Sequence, residues 1–322
     1  MKQQAIHSLA ILVLSLMTPL LASAQNWVTG KPGSIPTDAI IGGREADGSL
    51  FYLCHGGSKE GYGIQPGKFR AGFTGCDFGY GGQEVVASDF QFLVASWQNA
   101  SGGSVPSNAV IGGCDTPAPG RFCGPDLYYC RASVAGFRGL QPGKIRPGFP
   151  GCYVPFDGQE LSETTYQVLV ALSPAMPLAQ IGGSNGSVPF GAVRGGTDVG
   201  GQPLYMCSAS YAGGLHPGKL RAQFGACYIS YGGLEIAVKR YTVLVPNWLQ
   251  FPSNSAEPTF DFQTGTDSDG TPLYTCRDRF KDGIHPGKYL RSIDRCNFGW
   301  GEEEQSQSTG FDVLTDWSPN VQ

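Results

Sequence analysis

Four lysines stand at near-regular intervals along the chain: Lys68, Lys144, Lys219 and Lys288, separated by 76, 75 and 69 residues. Each follows a Pro-Gly pair, and each is accompanied by two acids. The first acid lies two positions after a Gly-Gly pair, at Glu45, Asp115 and Asp198; Asp267 stands in the same relation to Gly265. The second closes a Gly-Gly-x-Glu-like turn eight residues after a cysteine, at Glu84, Glu160, Glu235 and Glu304. Two carboxylates and one ammonium in a small space can grip vicinal hydroxyls through charge-assisted hydrogen bonds, and a neighbouring Tyr or Trp can cover the apolar face of a sugar ring. The competing use of the same groups is an internal salt bridge that pins adjacent strands. For Glu84, Glu160, Glu235 and Glu304 the salt bridge is the preferred expectation, with ligand contact a supporting role. For the acids after Gly-Gly the two uses stand even.

These residues belong to a block of about 70 residues that occurs four times: about 27–96, 97–172, 178–246 and 247–317. A period this long makes each block a supersecondary unit that cannot bury its apolar face alone. Leu-Tyr-x-Cys and closing runs such as Phe90–Val94, Tyr166–Val170, Tyr241–Val245 and Phe311–Leu314 read as strands, because β-branched and aromatic residues suit a half-buried pleated surface. No amphipathic helix is evident. Pro-Gly-Lys reads as a turn with Pro at its second position, Gly at its third and Lys starting the next strand. Fourfold repetition of one polar set favours several similar binding sites over one catalytic centre, so no catalytic residue, metal or cofactor is expected. A glycan hydrolase would need two carboxyl groups at a set separation, which spacing alone cannot show. Asp267-Ser268-Asp269-Gly270 lacks the bidentate Glu of a calcium loop and reads as a hairpin turn.

Eight of the ten cysteines fall two per block, predicting Cys54–Cys76, Cys130–Cys152, Cys207–Cys227 and Cys276–Cys296 as disulfides, with Cys114–Cys123 in an insertion of block 2. No pair has the spacing of a metal knuckle. The N-terminus carries Lys2, an apolar run and Ala22-Ser23-Ala24, the pattern of a signal peptide over 1–24. Export, extracellular or periplasmic in a bacterium, agrees with the paired cysteines. No later segment is a membrane span. A formal charge of −4 gives no basic footprint for nucleic acid. The Pro-containing stretch 173–177 is the one proline-rich join between blocks, which predicts a first domain over 25–172, a linker at 173–177, a second domain over 178–317 and a tail at 318–322.

The order Gly-Ser-Val-Pro, Gly-Gly-x-Asp, Leu-Tyr-x-Cys, Pro-Gly-Lys, Cys-Tyr-Ile-x-Tyr-Gly-Gly-x-Glu and Tyr-x-Val-Leu resembles the DM-nine repeat family, in four copies over nearly the whole chain. That family includes mannose-binding lectins and the lectin part of natterin-like proteins. The resemblance implies an all-β fold of two tandem β-sandwich-like domains, each from two paired repeats. It also implies recognition of mannose-type glycans by Asp198 with Lys219 and Asp267 with Lys288; Glu45 with Lys68 and Asp115 with Lys144 are the equivalent residues of blocks 1 and 2. A non-enzymatic structural or protein-interaction module of the cell surface or matrix is the alternative. The sequence leaves the oligomeric state open.

Overall fold

A computed structural model describes residues 26–121, 123–172, 175–251 and 262–315. The expected signal peptide, the C-terminal tail, Ser173 and Pro174 lie outside the described residues. The described chain is all-β: 28 strands in two 14-stranded sheets, with one 3-10 turn at Ala222–Phe224. Each block supplies seven strands. In block 1 these are Trp27–Thr29, Ile41–Arg44, Leu50–Gly56, Gly63–Phe69, Cys76–Tyr80, Gln83–Ala87 and Phe90–Leu93. The expected Leu-Tyr-x-Cys and closing strands are present in all four blocks. All five expected disulfides are formed.

The blocks do not pair as neighbours in sequence. Block 1 shares a sheet with block 4, and block 2 with block 3. Arg44 is in register with Ile284, Asp267 with Gly63, and Glu303 with Gln83; Leu215 faces Cys114, and Gln159 faces Leu234. The expected division at 173–177 into blocks 1–2 and blocks 3–4 is therefore corrected. The reason is steric. The second glycine of each Gly-Gly strand abuts the partner block, where an added Cβ on Gly43 would stand 2.0 Å from the Ile284 carbonyl oxygen and one on Gly265 2.1 Å from that of Ile64. Gly113 and Gly196 meet Leu215 and Leu140 in the same way, at 1.9 and 2.0 Å. The stretch read as a linker is not a free join, since Met176 is buried in the central core.

That central core draws on all four blocks: Leu93, Leu169, Leu244 and Leu314 from the closing strands, with Trp27, Trp97, Leu178 and Trp248 packed against it from the opening strands. Each block also has a satellite core around its own disulfide, such as Cys54, Cys76, Phe69 and Phe92 in block 1. The apolar alternation of the strands thus faces two ways, toward the shared centre and toward the block's own disulfide.

Pro-Gly-Lys is not a turn. It lies inside the fourth strand of every block, with Lys68 opposite Leu53, Lys144 opposite Tyr129, Lys219 opposite Met206 and Lys288 opposite Thr275. None of its glycines has positive φ. They are needed for close approach instead: a Cβ on Gly67, Gly143, Gly218 or Gly287 would come 2.3, 2.1, 2.2 or 2.1 Å from a carbonyl oxygen of the fifth strand. The tight turns stand elsewhere, between the fifth and sixth strands. Both central residues there have positive φ in every block: Gly81 and Gly82, Asp157 and Gly158, Gly232 and Gly233, Gly301 and Glu302. That is the requirement of a two-residue hairpin whose twist matches its strands.

Candidate binding sites at the seams

The fourth strand turns each lysine inward. Lys68, Lys144, Lys219 and Lys288 are only 2, 3, 5 and 4 % exposed, so they are not solvated surface charges. Each pairs with the glutamate of its own block: Lys68 with Glu84 at 3.6 Å, Lys144 with Glu160 at 3.6 Å, Lys219 with Glu235 at 3.3 Å and Lys288 with Glu304 at 3.7 Å. Burial lowers the pKa of Lys144, Lys219 and Lys288, and the paired glutamate works against that shift.

The glutamates have a second task. The free oxygen of each accepts a backbone N–H from the hairpin of the partner block: Glu304 from Gly82 at 2.9 Å, Glu84 from Glu302 at 2.9 Å, Glu235 from Gly158 at 2.8 Å and Glu160 from Gly233 at 2.9 Å. Their geometry is that of strand-pinning groups, the use preferred for them from sequence.

The acids after Gly-Gly come to the mouth of the same clefts. Asp198 and Lys219 line one cavity of about 430 Å³ together with Gln141, Phe156, Arg221 and Tyr228. Glu45 and Lys68 line a second, of about 450 Å³. Asp115 lies close enough to Lys144, and Asp267 to Lys288, to favour the charged ammonium. All four predicted acid–lysine pairs are therefore brought together within their own blocks.

Three sets of residues complete the clefts; the sequence reading assigned none of them a binding role, and the Gln65, Gln141, His216 and His285 set stood out there only as residues too exchangeable between blocks to be a general base. The partner block contributes an aromatic ring four residues after its second cysteine. The Lys144 ammonium lies 5.4 Å from the Tyr231 ring, that of Lys219 5.3 Å from Phe156 and that of Lys288 4.8 Å from Tyr80, within cation–π range. Trp300 is the equivalent wall beside Lys68. The partner also contributes the residue three before its own lysine. Lys288 donates to Gln65 and Lys219 to Gln141, at 2.8 and 2.9 Å, while Lys144 lies 3.4 Å from His216 and Lys68 faces His285. Both histidines are pushed down to about 4, first by burial and then by the adjacent lysine. The third set is an arginine two residues after the lysine, in three blocks: Arg70, Arg146 and Arg221, each stacked on a phenylalanine at 4.9, 4.3 and 4.4 Å. Leu290 stands there in block 4. The legible signal was a constant offset, kept in all four blocks for the first two sets and in three for the arginine.

The clefts differ in how the acid is held. Arg146 Nε donates to Asp115 at 2.9 Å, and Arg221 donates to Asp198. Asp267 instead accepts from Gln65 Nε2 at 3.1 Å, and Tyr80 and Ser268 share a hydrogen bond beside it. The Asp267–Gly270 segment is a hairpin turn, with Gly270 at positive φ. No helix among the described residues is long and apolar enough to cross a membrane.

Three overlapping segments, 58–137, 121–238 and 215–307, match the DM9 repeat. No curated protein matches the chain. Among solved structures, the crystal structure of the nematode sperm cell motility protein MFP2B is similar at 14 % identity and a TM-score of 0.19, covering 92 % of this chain and 98 % of that one; so low a score carries no argument.

Proposed function

The chain belongs to the DM9 repeat family, and on that premise we propose that it is a non-enzymatic lectin, built from four copies of the repeat, that binds mannose-type glycans of cell surfaces. The observation that supports this reading is the Asp198–Lys219 cleft, where an acid, a buried ammonium, a guanidinium and an amide converge beside the Phe156 ring. Charged donors and acceptors next to an aromatic face match the two sides of a pyranose ring. Small-ligand clefts commonly hold about 300–1,000 Å³, and this one falls within that range. Several such clefts on one chain raise avidity for clustered glycans without any new contact. The leader-like N-terminus and the paired cysteines support export, with the site of action outside the cell or in a periplasm.

A structural or protein-interaction module is the second reading, favoured by the use of Glu84, Glu160, Glu235 and Glu304 in pinning the seams. A glycan array of the oxidised protein separates the two. Mannose-type signal that falls in Asp198→Asn and Asp267→Asn variants that remain folded is the expected result. A blank array with folded protein sinks the lectin reading and leaves the module.

A further inference from the structure

The cleft around Lys68 departs from the other three in ways that point to a different ligand. In blocks 2 and 3 the cleft guanidinium is neutralised by the aspartate after Gly-Gly. In block 1 that acid is Glu45, and it does not reach Arg70. One Glu45 oxygen accepts the Ala46 N–H at 3.2 Å and stands 3.9 Å from His285. Arg70 stacks on Phe73 but has no ion-pair partner among the described residues; its Nε, like that of Arg221, is enclosed without a hydrogen bond.

A second orphan lies beneath it. Asp77 occupies the position held by Tyr153, Tyr228 and Asn297 in the other blocks. It is 3 % exposed, lines the cleft, and its Oδ1 has no partner. Its other oxygen is 3.9 Å from Lys68. Burial raises the Asp77 carboxyl to about 8, against the opposing pull of Lys68 and with the neighbouring Glu84 adding to the rise, and its unpartnered Oδ1 is the atom left for a ligand hydroxyl. Glu84, the remaining acid at the floor, is already engaged by Lys68, by the Glu302 N–H and by Asp77 itself. The Trp300 and Phe73 rings form the walls.

Resting on the sugar-binding reading above, we propose that this cleft takes a carboxylated sugar, a hexuronate, with Arg70 holding the carboxylate, Asp77 a hydroxyl and Trp300 the ring face. A planar guanidinium matches a carboxylate through two parallel hydrogen bonds, and of the three arginines that follow the cleft lysines Arg70 alone has no carboxylate in ion-pair contact, although Asp47 and Asp77 feel its charge. Neutral hexoses remain the ligands of the Arg146 and Arg221 clefts, where the acid already occupies the guanidinium.

The test titrates the full oxidised chain with the methyl glycosides of mannuronate and of mannose, following the Trp300 indole resonance for this cleft and the Tyr228 ring resonances for the Lys219 cleft. Mannuronate is expected to shift Trp300 and mannose to do so at least about tenfold more weakly, the value of one charge-assisted pair. Arg70→Gln lowers mannuronate affinity at Trp300 by about tenfold or more, and Arg70→Lys by less, because charge remains but the fork is lost. Glu45→Asp, which installs the acid of blocks 2 and 3, lowers it in an otherwise intact cleft. Raising the pH from 7 to 9 weakens mannuronate as Asp77 ionises beside it, with Glu45, Glu84, Lys68 and His285 the other charged or titratable groups facing the cleft. Equal response of Trp300 to both sugars, or unchanged mannuronate affinity in folded Arg70→Gln protein, overturns the inference. Mannose bound at Tyr228 with no mannuronate at Trp300 overturns this inference alone, whereas silence of both resonances to both sugars overturns the lectin reading with it.

Discussion

Lys288 donates a 2.8 Å hydrogen bond to Gln65, a residue 223 positions earlier. The contact exists because the first and last blocks share a sheet, with blocks 2 and 3 forming the other. A double-mutant cycle of Lys288→Met with Gln65→Leu is expected to show coupling of about 0.5–3 kcal/mol in urea denaturation, the range for residues in contact. Lys288→Met with Gln141→Leu joins residues of different sheets and is expected to be additive within about 0.5 kcal/mol. Equal coupling in both cycles would contradict the pairing of blocks.

The lysines hold the fold as well as facing the clefts. Lys219→Ala removes the partner of Glu235, whose side chain is 11 % exposed. Breaking a buried pair from one side costs roughly 3–5 kcal/mol, and replacing both members costs far less. Lys219→Met with Glu235→Gln is therefore expected to recover most of the loss of Lys219→Ala, as read by chemical denaturation. For the same reason a binding defect in a lysine-to-alanine variant does not by itself report on sugar contact, and Asp198→Asn is the cleaner probe.

His216 and His285 make stability sensitive to acid. Their pKa in the fold is about 4, below the ordinary imidazole value of 6.5. The unfolded chain therefore binds more protons between those values, and their contribution, fully present above pH 6.5, is lost as pH falls toward 4. Asp77, raised to about 8, acts in the opposite sense, with stability lost as pH rises above the ordinary carboxyl value of 3.8. Comparing variant with parent removes that background. His216→Gln with His285→Gln installs the residue found at positions 65 and 141. Its melting temperature is expected to fall less than that of the parent between pH 6.5 and 4; parallel curves would refute the assignment.

The block disulfides close loops of 20 or 22 residues, and Cys114–Cys123 one of 9. On the chain-entropy account, replacing Cys207 and Cys227 by serine costs about 3 kcal/mol, and replacing Cys114 and Cys123 somewhat less. The second change carries an extra consequence, because Asp115 leads into that loop and exchanges backbone hydrogen bonds with Gly124 and Pro125. It is expected to weaken ligand binding at the Lys144 cleft while sparing the Lys219 cleft, which paired titrations of the two variants would show.

Much of this was legible before any fold was known. Strand periodicity, cysteine spacing and the repeated acid–lysine set are local properties of the chain, and the strands, the disulfides and the within-block approach of Asp198 to Lys219 followed from them. Pro-Gly-Lys misled because glycine serves two purposes that look alike in sequence. Gly67 and its counterparts are required by the carbonyl oxygens of a neighbouring strand rather than by positive φ.

The partners of each block were decided only in three dimensions. A seven-strand block exposes edges that several other blocks could satisfy, and only contacts such as Gly43 against Ile284 and Glu304 against Gly82 select one. One trace of that choice was written in the chain: glutamine at 65 and 141, histidine at 216 and 285, so that each sheet combines one of each. The sequence by itself determined which side chains would recur. Tertiary structure decided that every cleft is shared between two blocks, because a buried lysine needs a carboxylate from its own hairpin and a ring or amide from another to compensate its lost water.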